Sequence, residues 1–131
     1  MAVKWYLKKD DASWNTFWDN ISIDDEIAEA KSDFPRMLNA ILNNSNKESV
    51  VLEGGCGLAK FLFFLHEKKY TNLIGVDFNE KPLKIIQNRE PIIDVRVGDV
   101  KELPVEDESI DLYLSMGVIE HFEEGPHRAL K

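Results

Sequence analysis

The chain has 131 residues, 44% of them apolar, and a formal net charge of −8. That length suits one domain with a real core, and dispersed Lys and Arg without a basic stripe make nucleic acid an unlikely partner. No apolar run approaches the ~20 residues of a membrane span; MAVKWYLKKDD lacks the apolar centre of a secretion signal; and the one cysteine, Cys56, forbids an internal disulfide and points to a reducing, cytoplasmic setting.

The expected organisation is one domain over 1–131, with a helical cap over 1–46 and an α/β core over 47–131. In SWNTFWDN, Trp14, Phe17 and Trp18 recur at helical spacing. They either anchor a helix in the core or wall a ligand pocket. Ser22 with Asp25 three residues later resembles a capping box. Ile23, Ile27 and Ala30 then follow at helical spacing. Pro35 would break that helix, so Ser32 or Asp33 is expected to cap a second one with Pro35 in its first turn. Its apolar stripe is Phe34, Met37, Leu38 and Ile41, and NNSN ends it with turn chemistry.

The pattern then changes. ESVVLE reads as a buried strand, LAKFLFFLHEKK as a helix and NLIGVD as a second strand. Asn79 caps the helix EKPLKIIQNRE; IIDVRV and SIDLYLSM are the third and fourth strands. Such alternation predicts right-handed crossovers and a parallel, Rossmann-like sheet with helices on both faces. SVVL and NLIGV carry little polar content and suit central strands. IIDVRV alternates Ile93, Val95 and Val97 with Asp94 and Arg96, as an edge strand would. The expected strand order is therefore 3-2-1-4, with a ligand crevice at the carboxyl ends.

Three acids fall in register on that rim: Glu53 closing strand one, Asp77 closing strand two, and Asp99 after strand three. The turn VLEGGCGLA between strand and helix is not a dinucleotide fingerprint. From Gly55 the third glycine would stand where Lys60 does, and no Gly-Lys-Ser/Thr closes a P-loop. A carboxylate at Glu53 would repel a pyrophosphate and suits a ligand that is cationic there. Asp77 can accept from ribose hydroxyls. His66, His121 and His127 are scattered, and no Cys/His cluster has metal-ligand spacing.

From Val50 onward the sequence resembles the class I S-adenosylmethionine-dependent methyltransferases. VLEGGCGLA looks like their first motif, acid-x-Gly-x-Gly, with Ala59 where a third glycine is usual. GVDFN resembles the ribose-holding segment, and GDVKELPVEDESIDLYLSMGVIEHF the stretch spanning adenine and strand four. WDNISIDDEIAEAK and GVIEHF look most like the small-molecule methyltransferases. The resemblance implies S-adenosylmethionine as cofactor and a small-molecule acceptor. Gly54, Gly55 and Gly57 would let the backbone approach the methionine portion, which Glu53 would steady. Asp77 would take the ribose hydroxyls, and Phe78 would pack on adenine. Asp99 and the Val100 amide would meet the adenine edge, and Ser115 and Met116 would line the methionine side.

Cys56 reads as a small residue filling the turn, not a nucleophile. His121 is a candidate general base, although a packing histidine would look the same. Tyr6, Trp14 and Trp18, with Trp5, could cover the acceptor and exclude water. The family's sheet has seven strands, and this sequence supplies four before PHRALK. The later strands are therefore expected to be missing, leaving strand four with an open edge that invites self-association. Two other readings follow: a cofactor-binding but catalytically incomplete subunit that needs a partner, and an NAD-type Rossmann domain.

Overall fold

The computed structural model of the chain describes residues 20–115. Tyr6, Trp14, Trp18, Met116 and His121 lie outside the described residues, and so do the readings placed on them.

Helix α1 (Ile23–Asp33) opens as its sequence predicts: the Ser22 hydroxyl accepts the Asp25 N–H at 3.1 Å. Asp24, Asp25 and Glu26 lie in its first turn, where the helix dipole favours negative charge. Ile23, Ile27 and Ala30 are all buried. The expected cap of the second helix is not found. Helix α1 runs through Asp33, and Phe34 is the N-cap of α2 (Pro35–Asn43) with no side-chain hydrogen bond. The Ser32 hydroxyl instead donates back to the Glu29 carbonyl and to the Asp33 carboxylate. What fixes this corner is aromatic packing. The Phe34 ring meets Phe61 edge to face, centroids 5.8 Å apart. Leu38 and Ile41 of α2 are buried, while Phe34 and Met37 are partly so.

Four parallel strands follow, joined by two helices. They are β1 (Val51–Gly54), β2 (Leu73–Asp77), β3 (Asp94–Val97) and β4 (Leu112–Ser115), with α3 (Lys60–Glu67) after β1 and α4 (Glu80–Arg89) after β2. The sheet order is β3-β2-β1-β4, as the strand patterns predict. Strands β1 and β2 are buried throughout, and β3 is a partly exposed edge. Asn79 caps α4 by accepting the Lys81 N–H at 3.0 Å. The start of β4 is pinned to β1: the Asp111 carboxylate accepts the Val50 N–H at 2.7 Å, and the Val50 carbonyl accepts from Asp111 and Leu112.

The register decides which side chains share a face, since successive side chains alternate. Glu53 pairs with Gly75 and Leu114, and Asp77 with Val97. Val51, Leu73 and Leu114 join one core with the buried residues of α1, α2, α3 and α4. On the other face Leu52, Ile74 and Val76 are covered, among the described residues, by Val50, Leu103, Val105, Ile110 and Tyr113. No helix among the described residues is long and apolar enough to cross a membrane.

Candidate functional site

The carboxyl ends of the strands form one rim. Glu53 and Gly54 end β1, Asp77 ends β2 with Phe78 beyond it, Gly98 to Val100 follow β3, and Ser115 ends β4. The described residues singled out from sequence therefore lie on one edge of the sheet, as expected of an open α/β fold.

The turn after β1 is held by backbone geometry that glycine favours. Gly55 and Gly57 have φ of 63° and 54°, in the left-handed region. Ala59, with φ 58°, takes the same conformation without being glycine. The Cys56 N–H donates to the Val76 carbonyl at 3.0 Å, and the Gly57 N–H donates to Asp77 Oδ2 at 3.0 Å. Turn and second strand are thus tied together. Gly54 is required for another reason. A Cβ there would collide with the Tyr113 hydroxyl and stand 3.0 Å from Val100 Cγ1. Cys56 packs over Gly75, where an added Cβ would lie 3.0 Å from its sulfur. Burial, then Glu53 and Asp77, push its thiol pKa well up, which disfavours the reactive thiolate.

Glu53 is the most unusual side chain of the site. It is 3% exposed, and its Oε1 has no hydrogen-bond partner. Burial pushes its pKa up to about 8; Lys60 opposes the shift, while Asp77 and Glu26 add to it. Asp77 is also buried. Its Oδ1 accepts the Asn79 N–H at 2.9 Å and its Oδ2 the Gly57 N–H. Burial raises its pKa, against the backbone N–H groups of Asn79, Gly57 and Phe78. Each carboxylate oxygen can accept a second bond, so Asp77 keeps capacity for a ligand.

The β2–β3 end differs. Phe78 and Val97 are exposed, at 56% and 53%. Asp99 is exposed too and closes its own turn by accepting the Lys101 N–H at 2.9 Å. Val100 is buried, packed toward Gly54. Ser115 pairs with Gly54, which puts it on the face opposite Glu53. The two are brought to one rim, but not to one side of it.

Sequence reasoning missed two residues. Tyr113 holds a buried hydroxyl above Gly54 on the Ser115 face; burial raises its phenol pKa and Ser115 lowers it, although neither hydroxyl makes a hydrogen bond of good geometry. Its only signal was its place in the alternation of LYLS. Lys60 was read merely as the residue that is not glycine. It carries the positive charge that opposes the protonation of Glu53, and it meets Glu26 of α1 at 3.8 Å. Those ion pairs join residues more than thirty apart, which no local pattern reveals.

A buried, unpartnered carboxylate beside a glycine turn, with exposed apolar side chains along the same rim, fits a ligand with a cationic end and a flat apolar end. Comparison with known proteins agrees. Residues 52–131 match the family described as methyltransferase domain. An uncharacterized methyltransferase of Schizosaccharomyces pombe is 33% identical over 86 residues, covering 63% of this chain and 34% of its own length. A probable S-adenosylmethionine-dependent methyltransferase of Mycolicibacterium smegmatis is 35% identical over 71 residues, 54% of this chain and 27% of its own. The chain thus spans about a third or less of these curated relatives. A Methanococcus maripaludis structure, a candidate S-adenosyl-L-methionine-dependent methyltransferase, shares the fold at a TM-score of 0.67 and 19% identity, over 98% of this chain and 60% of its own. An S-adenosylmethionine-dependent methyltransferase from Mesorhizobium loti is 27% identical with a TM-score of 0.53, over 61% of this chain and 37% of its own. With the family matched over most of its length, the chain belongs to the class I S-adenosylmethionine-dependent methyltransferases.

Proposed function

We propose that this chain binds S-adenosylmethionine across the carboxyl rim of its sheet and directs methyl transfer to a small-molecule acceptor. The observation that carries the reading is Glu53, a buried carboxylate with a free Oε1 at the end of β1. A diphosphate there would meet a carboxyl group and, among the described residues acting on it, no cationic side chain but Lys60. The amino group of a methionine moiety would satisfy it. Gly54, Gly55 and Gly57 would admit that moiety to the backbone. Asp77 would accept from the ribose hydroxyls with the lone pairs its backbone partners leave. Phe78, exposed beside Val97, would cover one face of adenine. Asp99 would accept from the adenine amine beside the Val100 N–H, with Ser115 and Met116 on the methionine side.

The cofactor supplies an electrophilic methyl group when bound, and the protein's task is alignment and exclusion of water. His121 is proposed as general base for a protonated acceptor. Tyr6, Trp14 and Trp18 are proposed as the cover over that acceptor. Both proposals rest on the sequence.

Titration calorimetry tests the reading. S-adenosylmethionine and S-adenosylhomocysteine should bind and NAD should not; binding of NAD alone would overturn it in favour of a dinucleotide domain. A second reading, cofactor binding without turnover unless a partner completes the fold, is favoured by the edge position of β4 among the described residues. Another strand could add there. Binding without transfer to any acceptor of a small-molecule panel, together with self-association in light scattering, would select it.

A further inference from the structure

Lys60 stands at the start of α3, directly after the glycine turn. Its Nζ lies 3.4 Å from Glu29 Oε2 and 3.8 Å from Glu26 Oε2, both on α1. It also sits 5.0 Å from the centre of the Phe34 ring and 5.9 Å from that of Phe61. One ammonium therefore fastens the first helix to the turn. Among the described residues, the same ammonium is the cation that acts on Glu53. The other charged groups acting on Glu53 are Asp77 from β2 and Glu26 from α1, both acidic. From β4 the register brings only Leu114 to it. Three carboxyl groups, Glu26, Glu29 and Glu53, thus share one lysine, and the deepest of them has an oxygen with no partner.

We infer that Lys60 is a positioning residue that divides its charge between α1 and Glu53, so that uptake of an ammonium-bearing ligand at Glu53 expels the Glu53 proton to solvent. The step balances: the O–H bond of the neutral carboxyl breaks, its proton passes to water or buffer, and the carboxylate pairs with the incoming ammonium. Burial keeps Glu53 protonated up to about pH 8 without ligand. A cation placed against it reverses that preference. Lys60 works in the same direction from outside and Glu26 against it, so the two should tune proton release in opposite senses. This inference rests on the cofactor reading above, and the experiment separates the two.

Proton release on binding is measured by calorimetry in buffers of different ionisation enthalpy, from pH 6 to 8.5, using the 131-residue chain. S-adenosylhomocysteine supplies the ammonium, and 5′-methylthioadenosine, which lacks the amino-acid portion, is the control. Near pH 7 S-adenosylhomocysteine should release close to one proton and 5′-methylthioadenosine none, with release fading as pH rises through about 8. Lys60→Met should move that fade upward by ~0.5 pH unit or more, and Lys60→Arg should restore it. Glu26→Gln, a near-isosteric change, should move it downward. The same fade in all these chains, or no release from the unaltered one, would overturn the role of Lys60 while leaving cofactor binding intact. Failure of both ligands to bind would overturn both readings.

Discussion

The two ends of the rim are built on opposite terms. At the β1 end the polar groups are buried and interlocked: Glu53 and Asp77 are almost inaccessible, and the turn between them is hydrogen-bonded to β2. At the β2–β3 end the apolar groups are exposed, with Phe78 and Val97 more than half open. A buried polar group without a partner is costly, so on the proposed reading the first end would select a ligand by the charge Glu53 takes up on pairing, at the expense of the empty protein's stability. Exposed apolar surface costs the fold little and gains area when a flat ring covers it. One end therefore trades stability for selectivity, and the other does not.

The largest effect tests the charged end. Glu53→Gln should weaken S-adenosylhomocysteine about 10–100-fold, the worth of a hydrogen-bonded charge. It should also flatten the pH dependence of folding. An acid whose pKa rises on folding binds more protons in the native state, so its contribution is present at low pH. It is lost as pH climbs from the unfolded value of 4.5 through the folded value of about 8. The unaltered chain should therefore lose a few kcal/mol across that window, and the Gln chain distinctly less, keeping only the smaller losses from Asp77 and Glu26, whose pKa values are also raised. Denaturant melts at pH 5 and pH 8.5 check this, and equal losses in both chains would break the contrast.

Phe78→Ala probes the other end. Affinity for S-adenosylhomocysteine should fall about tenfold, typical of base–aromatic stacking. Stability should change by less than ~0.5 kcal/mol, because the ring is mostly exposed. A large stability loss would make Phe78 part of the core and erase the comparison.

The smallest effect concerns Ala59. Its left-handed backbone costs an L-residue ~1–2 kcal/mol, which glycine would relieve, while the buried methyl lost is worth ~0.8 kcal/mol. Ala59→Gly should thus leave the melting midpoint unchanged or slightly raised. A clear fall would show that the methyl's packing outweighs the strain at the charged end.

Much of this was legible in the sequence because it rests on short-range rules. The strict alternation of IIDVRV marked an edge strand, Ser22 and Asn79 announced their helices, and the acids of the rim followed from where each strand had to stop. The α1–α2 corner was not legible. Ser32 and Asp33 have capping chemistry, yet the chain turns at Phe34 because Phe61 waits across the core. Nor could the sequence tell that Gly54 makes room for Tyr113, or that Glu53 is deep enough to hold its proton. Both depend on what distant segments bring to the same few ångströms.

The sulfur of Cys56 gives the turn a property unrelated to catalysis. It is the chain's one thiol, buried between the glycine turn and Gly75, with its pKa raised by that burial. A soluble alkylating reagent should therefore reach it mainly when the turn lifts away from β2. The rate at which the chain gains a single label should thus count the openings of its glycine turn, and a ligand seated on that turn, as proposed, should slow that clock.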